Sequence, residues 1–385
     1  MRRGGAWLAS VCAVARYAGC AAVLMALFVP HQAAAQVRWE DLVFTIGSSV
    51  ERFTGNFSAV TVAVVDSADQ ATAAGGEVGV RGRLILLDRE RQRLTLDLDG
   101  GVRQAAALGF RLRDYTPREW VGSSSLEFQQ TLGSWATGFV RGGVGTRSVR
   151  DRPPMPLFMQ PGYATVNAAV GLVTRSFEGV AFDVVADVES VDYRARQFVP
   201  QLDLLDRRAT GFELGAHWGR EPSMIRFFGG VRWGEYEHQG SFDPDDPFRR
   251  DHTVRVGLGW THVGDLLVQV GLEGTLNRSN SNRPEYDALS VSAALTAPLP
   301  GRLTLSVLAL LTNKSYVNET SFARLVPGEE ADNASIAYAE LMRSIRSNLD
   351  GGFRLGWTRA ETDIGNAYYQ RFGFSFLLNY RPNDR

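Results

Sequence analysis

The stretch Asp251–Asn280, DHTVRVGLGWTHVGDLLVQVGLEGTLNRSN, decides the fold, because apolar and polar residues alternate along it twice in succession. Its apolar positions are Val254, Val256, Leu258 and Trp260, and then Leu266, Val268, Val270, Leu272 and Leu276. Its polar or small positions include Arg255, Gly257, Gly259 and Thr261, and then Gln269, Gly271, Glu273, Thr275 and Asn277. Alternation with a period of two indicates a strand whose two faces meet different surroundings. The Gly264-Asp265 pair between the two segments predicts a tight hairpin turn.

The same unit repeats along the chain from about Asp41 to Tyr380, and we count about sixteen strands. Strands of about ten residues or more are long for a soluble sheet but suit a tilted crossing of a bilayer. Short turns alternate with longer loops along the chain. The sequence therefore predicts an all-β, transmembrane antiparallel β-barrel with short periplasmic turns and longer extracellular loops. An even number of strands places both termini on the short-turn side.

The first 35 residues have the features of a secretory signal peptide. Arg2 and Arg3 precede a long apolar run, and Ala33-Ala34-Ala35 offers a cleavage site before Gln36. A membrane anchor and a lipoprotein acylated at Cys20 are the alternatives, and both fit the sequence less well. We therefore divide the chain into a signal peptide, residues 1–35, and an outer-membrane barrel, residues 36–385.

Composition restricts the class of protein further. The mean hydropathy of −0.13 is too low for a helical membrane protein, but it suits a barrel that exposes every second side chain to lipid. Cys12 and Cys20 both lie in the predicted leader, so the mature chain has no thiol for disulfides or nucleophilic chemistry. The formal net charge of −1 gives no indication of binding to nucleic acid.

Charged residues at the polar positions of the strands are the candidates for lining the lumen. They are Arg81, Arg83, Asp183, Asp187, Glu189, Glu213, Arg226, Arg232, Arg255, Glu273, Arg354 and Arg371. The arginines of the second strand and of the last two strands would meet where the barrel closes. The carboxylates of the seventh and eighth strands would lie opposite and set a transverse field across the lumen. The alternative is a lumen filled by salt-bridged side chains, because other arginines lie beside the acidic strands.

The sequence contains no signature of a cofactor, a metal site or an enzyme. Histidines and aspartates surround one loop and could hold a divalent cation or a lipopolysaccharide phosphate: His238, Asp243, Asp245, Asp246, Asp251 and His252. Their spacing matches no metal-binding motif, so a solvated acidic loop is the simpler interpretation. A hydrolase at the barrel rim could combine His252 with Ser241 or Asp251, but neighbours in sequence do not establish a catalytic set.

The second half of the chain resembles the β-barrel porins of the second type, which are associated with exopolysaccharide production. The resemblance rests on RVGLGW at Arg255–Trp260, on Arg278–Asn280 followed by Tyr286, and on the end segment Arg354–Pro382. The last strand also resembles the C-terminal signal that barrel assembly machinery reads. Its alternating apolar residues are Phe372, Phe374, Phe376, Leu378 and Tyr380. Five residues follow Tyr380, so that tyrosine has to serve as the terminal aromatic of the signal.

Three functions are consistent with this sequence. The first is a bacterial outer-membrane, porin-like channel for the passage or export of polar solutes or polysaccharide. The second is a structural or assembly barrel with a filled lumen, and the third is a rim hydrolase. The expected partners are outer-membrane lipid and lipopolysaccharide, the barrel assembly machinery and components of exopolysaccharide export, with no nucleic acid.

Overall fold

The computed structural model describes residues 37–55, 70–108, 118–150, 162–193, 202–242, 244–281, 285–317, 335–361 and 368–382. The predicted signal peptide lies outside these residues. Sixteen strands make up nearly all of the described chain, together with one short 3₁₀ helix, Leu202–Leu205.

The strands have the following bounds: β1 Arg38–Gly55, β2 Gln70–Arg89, β3 Gln92–Leu108, β4 Arg118–Leu132, β5 Ala136–Arg150, β6 Tyr163–Thr174, β7 Val180–Tyr193, β8 Arg207–Arg220, β9 Ser223–Gly240, β10 Phe248–Val263, β11 Leu267–Ser279, β12 Tyr286–Leu299, β13 Leu303–Tyr316, β14 Ser335–Arg346, β15 Leu349–Glu361 and β16 Tyr368–Tyr380. Each strand is antiparallel to the next along the chain.

The sheet closes on itself through the pairing of the first and last strands. β1 and β16 are antiparallel and in register from Phe44 opposite Tyr380 to Gly55 opposite Tyr369. The result is a closed barrel in which every strand has two neighbours, so the described strands leave no open edge. The predicted antiparallel barrel and its count of sixteen strands are confirmed.

The outer face of the barrel is a continuous apolar surface. On β10, Val256 is 59% exposed, and its even-numbered neighbours Leu258 and Trp260 are exposed as well. The same pattern is present on β16, where Phe372 and Phe374 point outward. Exposure of such a surface to water would be unfavourable, because the burial of apolar area is the main favourable term in folding and association. The alternation read from the sequence thus corresponds to the two faces of the sheet.

The strands of two hairpins are longer than the sequence pattern predicts. Alternation in this part of the sequence predicts a strand that starts at about Gly76, but β2 begins at Gln70, because its alanine- and glycine-rich start pairs through the backbone with β1. Pairing of this kind needs no alternation of side chains. Prolines and aspartates predict a loop over Gln239–Arg250, but the connection between β9 and β10 is only residues 241–247. Leu266, expected on a strand, lies in the turn before β11.

A β-bulge interrupts β1 near the end of the barrel that carries the short turns. Glu40 lies opposite Arg83 and Val43 lies opposite Arg81, so β1 has one more residue than β2 between these pairs. Asp41 lies in the bulge with φ of 57°, a left-handed conformation that is uncommon for residues other than glycine. Because of the bulge, the side chains of Glu40 and Asp41 do not follow the alternation of the rest of β1.

Candidate functional site: the barrel interior

The candidate lumen residues all lie on the face opposite the exposed apolar side chains. The arginines assigned to the second strand and the last two strands lie on β2, β15 and β16, and the carboxylates assigned to the seventh and eighth strands lie on β7 and β8. Contacts between strands that are not neighbours identify this face as the concave one. Arg255 on β10, for example, contacts Glu213 on β8 across the intervening β9, at 3.2 Å. Such contacts occur where side chains converge inside the curve of a barrel.

Five of these residues form a continuous series of ion pairs, which we call the charge ladder: Asp183, Glu213, Arg226, Arg255 and Glu273. Arg226 donates to Asp183 at 3.0 Å and to Glu213 at 2.8 Å. Arg255 lies 3.2 Å from the other oxygen of Glu213 and 4.0 Å from Glu273. The ladder therefore crosses the inner wall from β7 to β11. Charge-assisted hydrogen bonds of this kind hold long side chains in fixed positions.

A second group lies beside the ladder on the same wall. Arg232 contacts Asp187 at 2.7 Å and Glu189 at 3.0 Å. Together, the ladder and this group bring five carboxylates against three guanidinium groups. These two groups are therefore acidic by two charges when every side chain is ionised, although each of the five carboxylates lies within 4.0 Å of an arginine.

The arginines near the closure of the barrel also have carboxylate neighbours. Arg83 donates to Asp97 at 2.7 Å. On the other side of the closure, Arg354 donates to Glu340 at 2.8 Å. Neither Asp97 nor Glu340 was among the candidate lumen residues, because alternation was considered one strand at a time.

Arg371 and Arg103 share a third carboxylate at this closure. Glu51 of β1 lies 3.9 Å from Arg371 of β16 and also pairs with Arg103 of β3. Positive and negative groups are thus interleaved on both sides of the lumen rather than divided between two walls. This interleaving weakens the expected transverse field, which stays a prediction.

A cavity of about 720 Å³ occupies the lumen against β1 to β6, away from the charge ladder. Small and polar residues dominate its lining, and they include Ser123, Ser125, Gly143, Gly145, Thr165 and Asn167. A Cβ atom added at Gly143 would lie 2.6 Å from the Asn167 side-chain oxygen, and one at Gly145 would lie 2.7 Å from the Thr165 methyl group. A side chain at either glycine would therefore displace the side chain of β6 that faces it.

Sequence reasoning did not find this wall of the lumen. The segments that form it, β4 and β5, have serine and glycine on both faces, so hydrophobic alternation is weak there. The signal that could have found it is the concentration of small residues itself, because glycine and serine at inward positions leave space inside a barrel.

A buried polar cluster occupies the inner wall at the loop end of β9 and β10. Arg249 is 4% exposed and donates to Asp251 and to Gln239, while its guanidinium lies 4.1 Å from the centre of the Tyr236 ring. Gln239 in turn donates to the backbone oxygen of Leu204 in the 3₁₀ helix. The helix between β7 and β8 therefore packs against this end of the inner wall.

The residues considered for a rim hydrolase do not form a catalytic set in the structure. The His252 ring stacks on Trp233 on the outer face, with ring centres 5.6 Å apart. Asp251, its neighbour in sequence, is buried on the inner face with Arg249. The Ser241 hydroxyl donates to the backbone oxygen of Asp246. Among the described residues, no group of three or more His, Cys, Asp and Glu side chains could hold a metal ion, and Asp243 lies outside them.

Solved structures similar to this chain include several outer-membrane proteins. No family model and no curated protein matches the sequence, so membership of the second type of β-barrel porins stays a prediction. A bacterial polysaccharide outer membrane secretin is 10% identical with a TM-score of 0.41, and the match covers 89% of this chain and 98% of that one. A deletion mutant of the TodX monoaromatic hydrocarbon channel is 10% identical with a TM-score of 0.40, covering 89% and 90%. Pseudomonas aeruginosa OpdK with vanillate is 12% identical with a TM-score of 0.35, covering 88% and 99%. At these scores, the description of the fold rests on the strand pairing alone.

Proposed function

We propose that this protein is a channel of the bacterial outer membrane through which polar solutes pass. The observation that carries the proposal is the polar cavity inside a closed barrel whose outer face is apolar. A barrel of sixteen strands has a large enough circumference to enclose water as well as side chains. Export of polysaccharide would be one form of this activity, and exopolysaccharide export components would then be its partners.

The proposed location in the outer membrane follows from the apolar outer face of the barrel. The apolar outer belt needs hydrocarbon around it, and a closed barrel satisfies its backbone hydrogen bonds within lipid. The predicted secretory leader and the aromatic pattern of β16, which would be read by the barrel assembly machinery, support insertion into the outer membrane. Outer-membrane lipid and lipopolysaccharide would then surround the barrel. We propose no enzymatic activity.

Conductance of the purified barrel in planar lipid bilayers tests the proposal. The wild-type protein is expected to give discrete conductance steps. Ser123→Trp places an indole in the cavity and is expected to lower the size of each step. Ser148→Trp is the matched control, because it adds the same indole on the outer face of β5, outside the cavity lining, and should leave the step unchanged. No conductance from folded wild-type protein would contradict the proposal.

A structural barrel with a filled lumen is the second candidate function. Two observations favour it: the charge ladder along β7 to β11, and the buried cluster around Arg249 below the 3₁₀ helix. Ion selectivity separates the two functions. If the channel conducts, neutralising Asp183, Asp187 and Glu213 together should shift the reversal potential toward anions. Folded protein without conductance would favour the filled barrel.

A further inference from the structure

We propose that the cavity against β1 to β6 is a binding site for small zwitterions, whose carboxylate meets Arg81 and whose ammonium group meets Asp99 and Asp41. This inference rests on the proposed channel function and names a class of solute for it. The evidence for this site is a set of charged groups that face the cavity but do not make the arginine–carboxylate contacts found elsewhere in the lumen.

Arg81 and Asp99 are exposed in the cavity and take part in no hydrogen bond or ion pair among the described residues. They lie opposite each other in the pairing of β2 with β3. The next pair toward the short turns, Arg83 and Asp97, is in contact at 2.7 Å. Two groups of opposite charge therefore stand side by side at Arg81 and Asp99, each with its hydrogen-bonding capacity available to a solute.

The bulge in β1 adds a second carboxylate to this site. Asp41 lines the same cavity and has the positive φ described above. Strained backbone of this kind often occurs at functional sites, because the surrounding structure has to maintain it. Glu40, on the other side of the bulge, instead contacts Arg93 at 3.2 Å. The bulge thus gives one carboxylate to an arginine and leaves the other at the cavity.

The chemistry of these groups favours a solute that carries both charges. A guanidinium group binds a carboxylate through two parallel hydrogen bonds, and a carboxylate binds an ammonium group by charge-assisted hydrogen bonds. An anion alone would meet the two aspartates, and a cation alone would meet Arg81, so each would lose part of its attraction. The small residues of β5 leave room for the side chain of an amino acid.

Four molecules of nearly equal shape test this prediction: L-alanine, L-lactate, L-alaninamide and L-lactamide are a zwitterion, an anion, a cation and a neutral molecule. Binding to the folded barrel in detergent is measured by saturation-transfer NMR. Alanine is expected to bind most tightly. Arg81→Gln and Asp99→Asn should each weaken alanine binding by roughly tenfold or more, because the loss of even one charge-assisted hydrogen bond would have an effect of that size.

The variants should also change the preference among the other probes. Arg81→Gln should still bind alaninamide, and Asp99→Asn should still bind lactate. Arg81→Lys should bind alanine more tightly than Arg81→Gln does, because it restores the positive charge. Arg354→Gln is the matched control, because that arginine pairs with Glu340 outside the cavity lining, and it should leave alanine binding unchanged. Heat-modifiable mobility on gels establishes that each variant is folded.

Two results would overturn the inference: equal binding of alanine and lactamide, or an equal loss of alanine binding in the Arg354→Gln control. The result of this binding experiment can be distinguished from the result of the conductance experiment. A conducting barrel without a preference for alanine would refute the zwitterion site and leave the channel. A barrel that binds alanine without conducting would refute the channel and leave the site.

Discussion

A charge placed on the outer face should destabilise the barrel according to its depth in the membrane. Leu272 and Leu276 form a matched pair on β11, with exposed fractions of 46% and 47%. They are four residues apart, which is about 13 Å along the strand. Leu272 lies near the middle of β11, whereas Leu276 lies close to the level of Trp233 and its stacked partner His252. The tryptophan marks the expected membrane interface.

Leu272→Arg should therefore lower the free energy of unfolding by about 2–4 kcal/mol, and Leu276→Arg by about 0–1 kcal/mol. Equilibrium unfolding in guanidinium, followed by tryptophan fluorescence in lipid vesicles, measures both values. Glu273→Val is the control for the inner face, since it removes a partly exposed contact with Arg255 at 4.0 Å and a long hydrogen bond from Thr275 at 3.3 Å, and it should cost less than about 1 kcal/mol. The reasoning is refuted if Leu276→Arg costs as much as Leu272→Arg, or if Glu273→Val costs the most.

Three further predictions concern orientation, charge and pH. Glu221→Cys should be protected from an impermeant label in whole cells and Asp245→Cys should react, and the reverse result would contradict the proposed orientation. Arg226→Gln should make a conducting barrel more selective for cations, because it leaves two carboxylates of the charge ladder without this arginine; an unchanged reversal potential would count against it. Burial raises the pKa of Asp206, in the loop before β8, from 3.8 to about 6. The folded loop then binds more protons than the unfolded one between about pH 4 and 6, so its stability should fall as pH rises through this window. Hydrogen exchange near the 3₁₀ helix should show this fall in the wild type and not in Asp206→Asn.

Alternation in the sequence predicts which face each strand residue occupies, because the side-chain period of a strand is fixed at two. For this reason Arg255 and Glu273 could be placed inside the barrel, and Val256 and Leu272 outside it, from the hairpin alone. Strand order could be predicted as well, since short turns force consecutive strands to be neighbours.

The partners of each charge could not be predicted, because they depend on the stagger between strands and not on alternation. Arg226 bridges Asp183 and Glu213, which belong to two different strands, and no local pattern relates these three positions. The bulge at Asp41 was also hidden, because the apolar residues Leu42 and Val43 that follow it fit an uninterrupted strand equally well.

The dimensions of the barrel favour an open lumen over one filled by the charges of its own strands. Sixteen strands about 4.8 Å apart and tilted by about 40° enclose a ring about 30 Å across between backbones. An extended arginine reaches about 7 Å from its backbone, as the length of its chain allows. The charge ladder is a single layer of such side chains on one wall, and Arg226 and Arg255 direct their charges along that wall to Glu213 rather than across the lumen. Side chains of the described strands therefore cannot close the ring by themselves, and the opposite wall, with its serines and glycines, is the side on which solutes would pass.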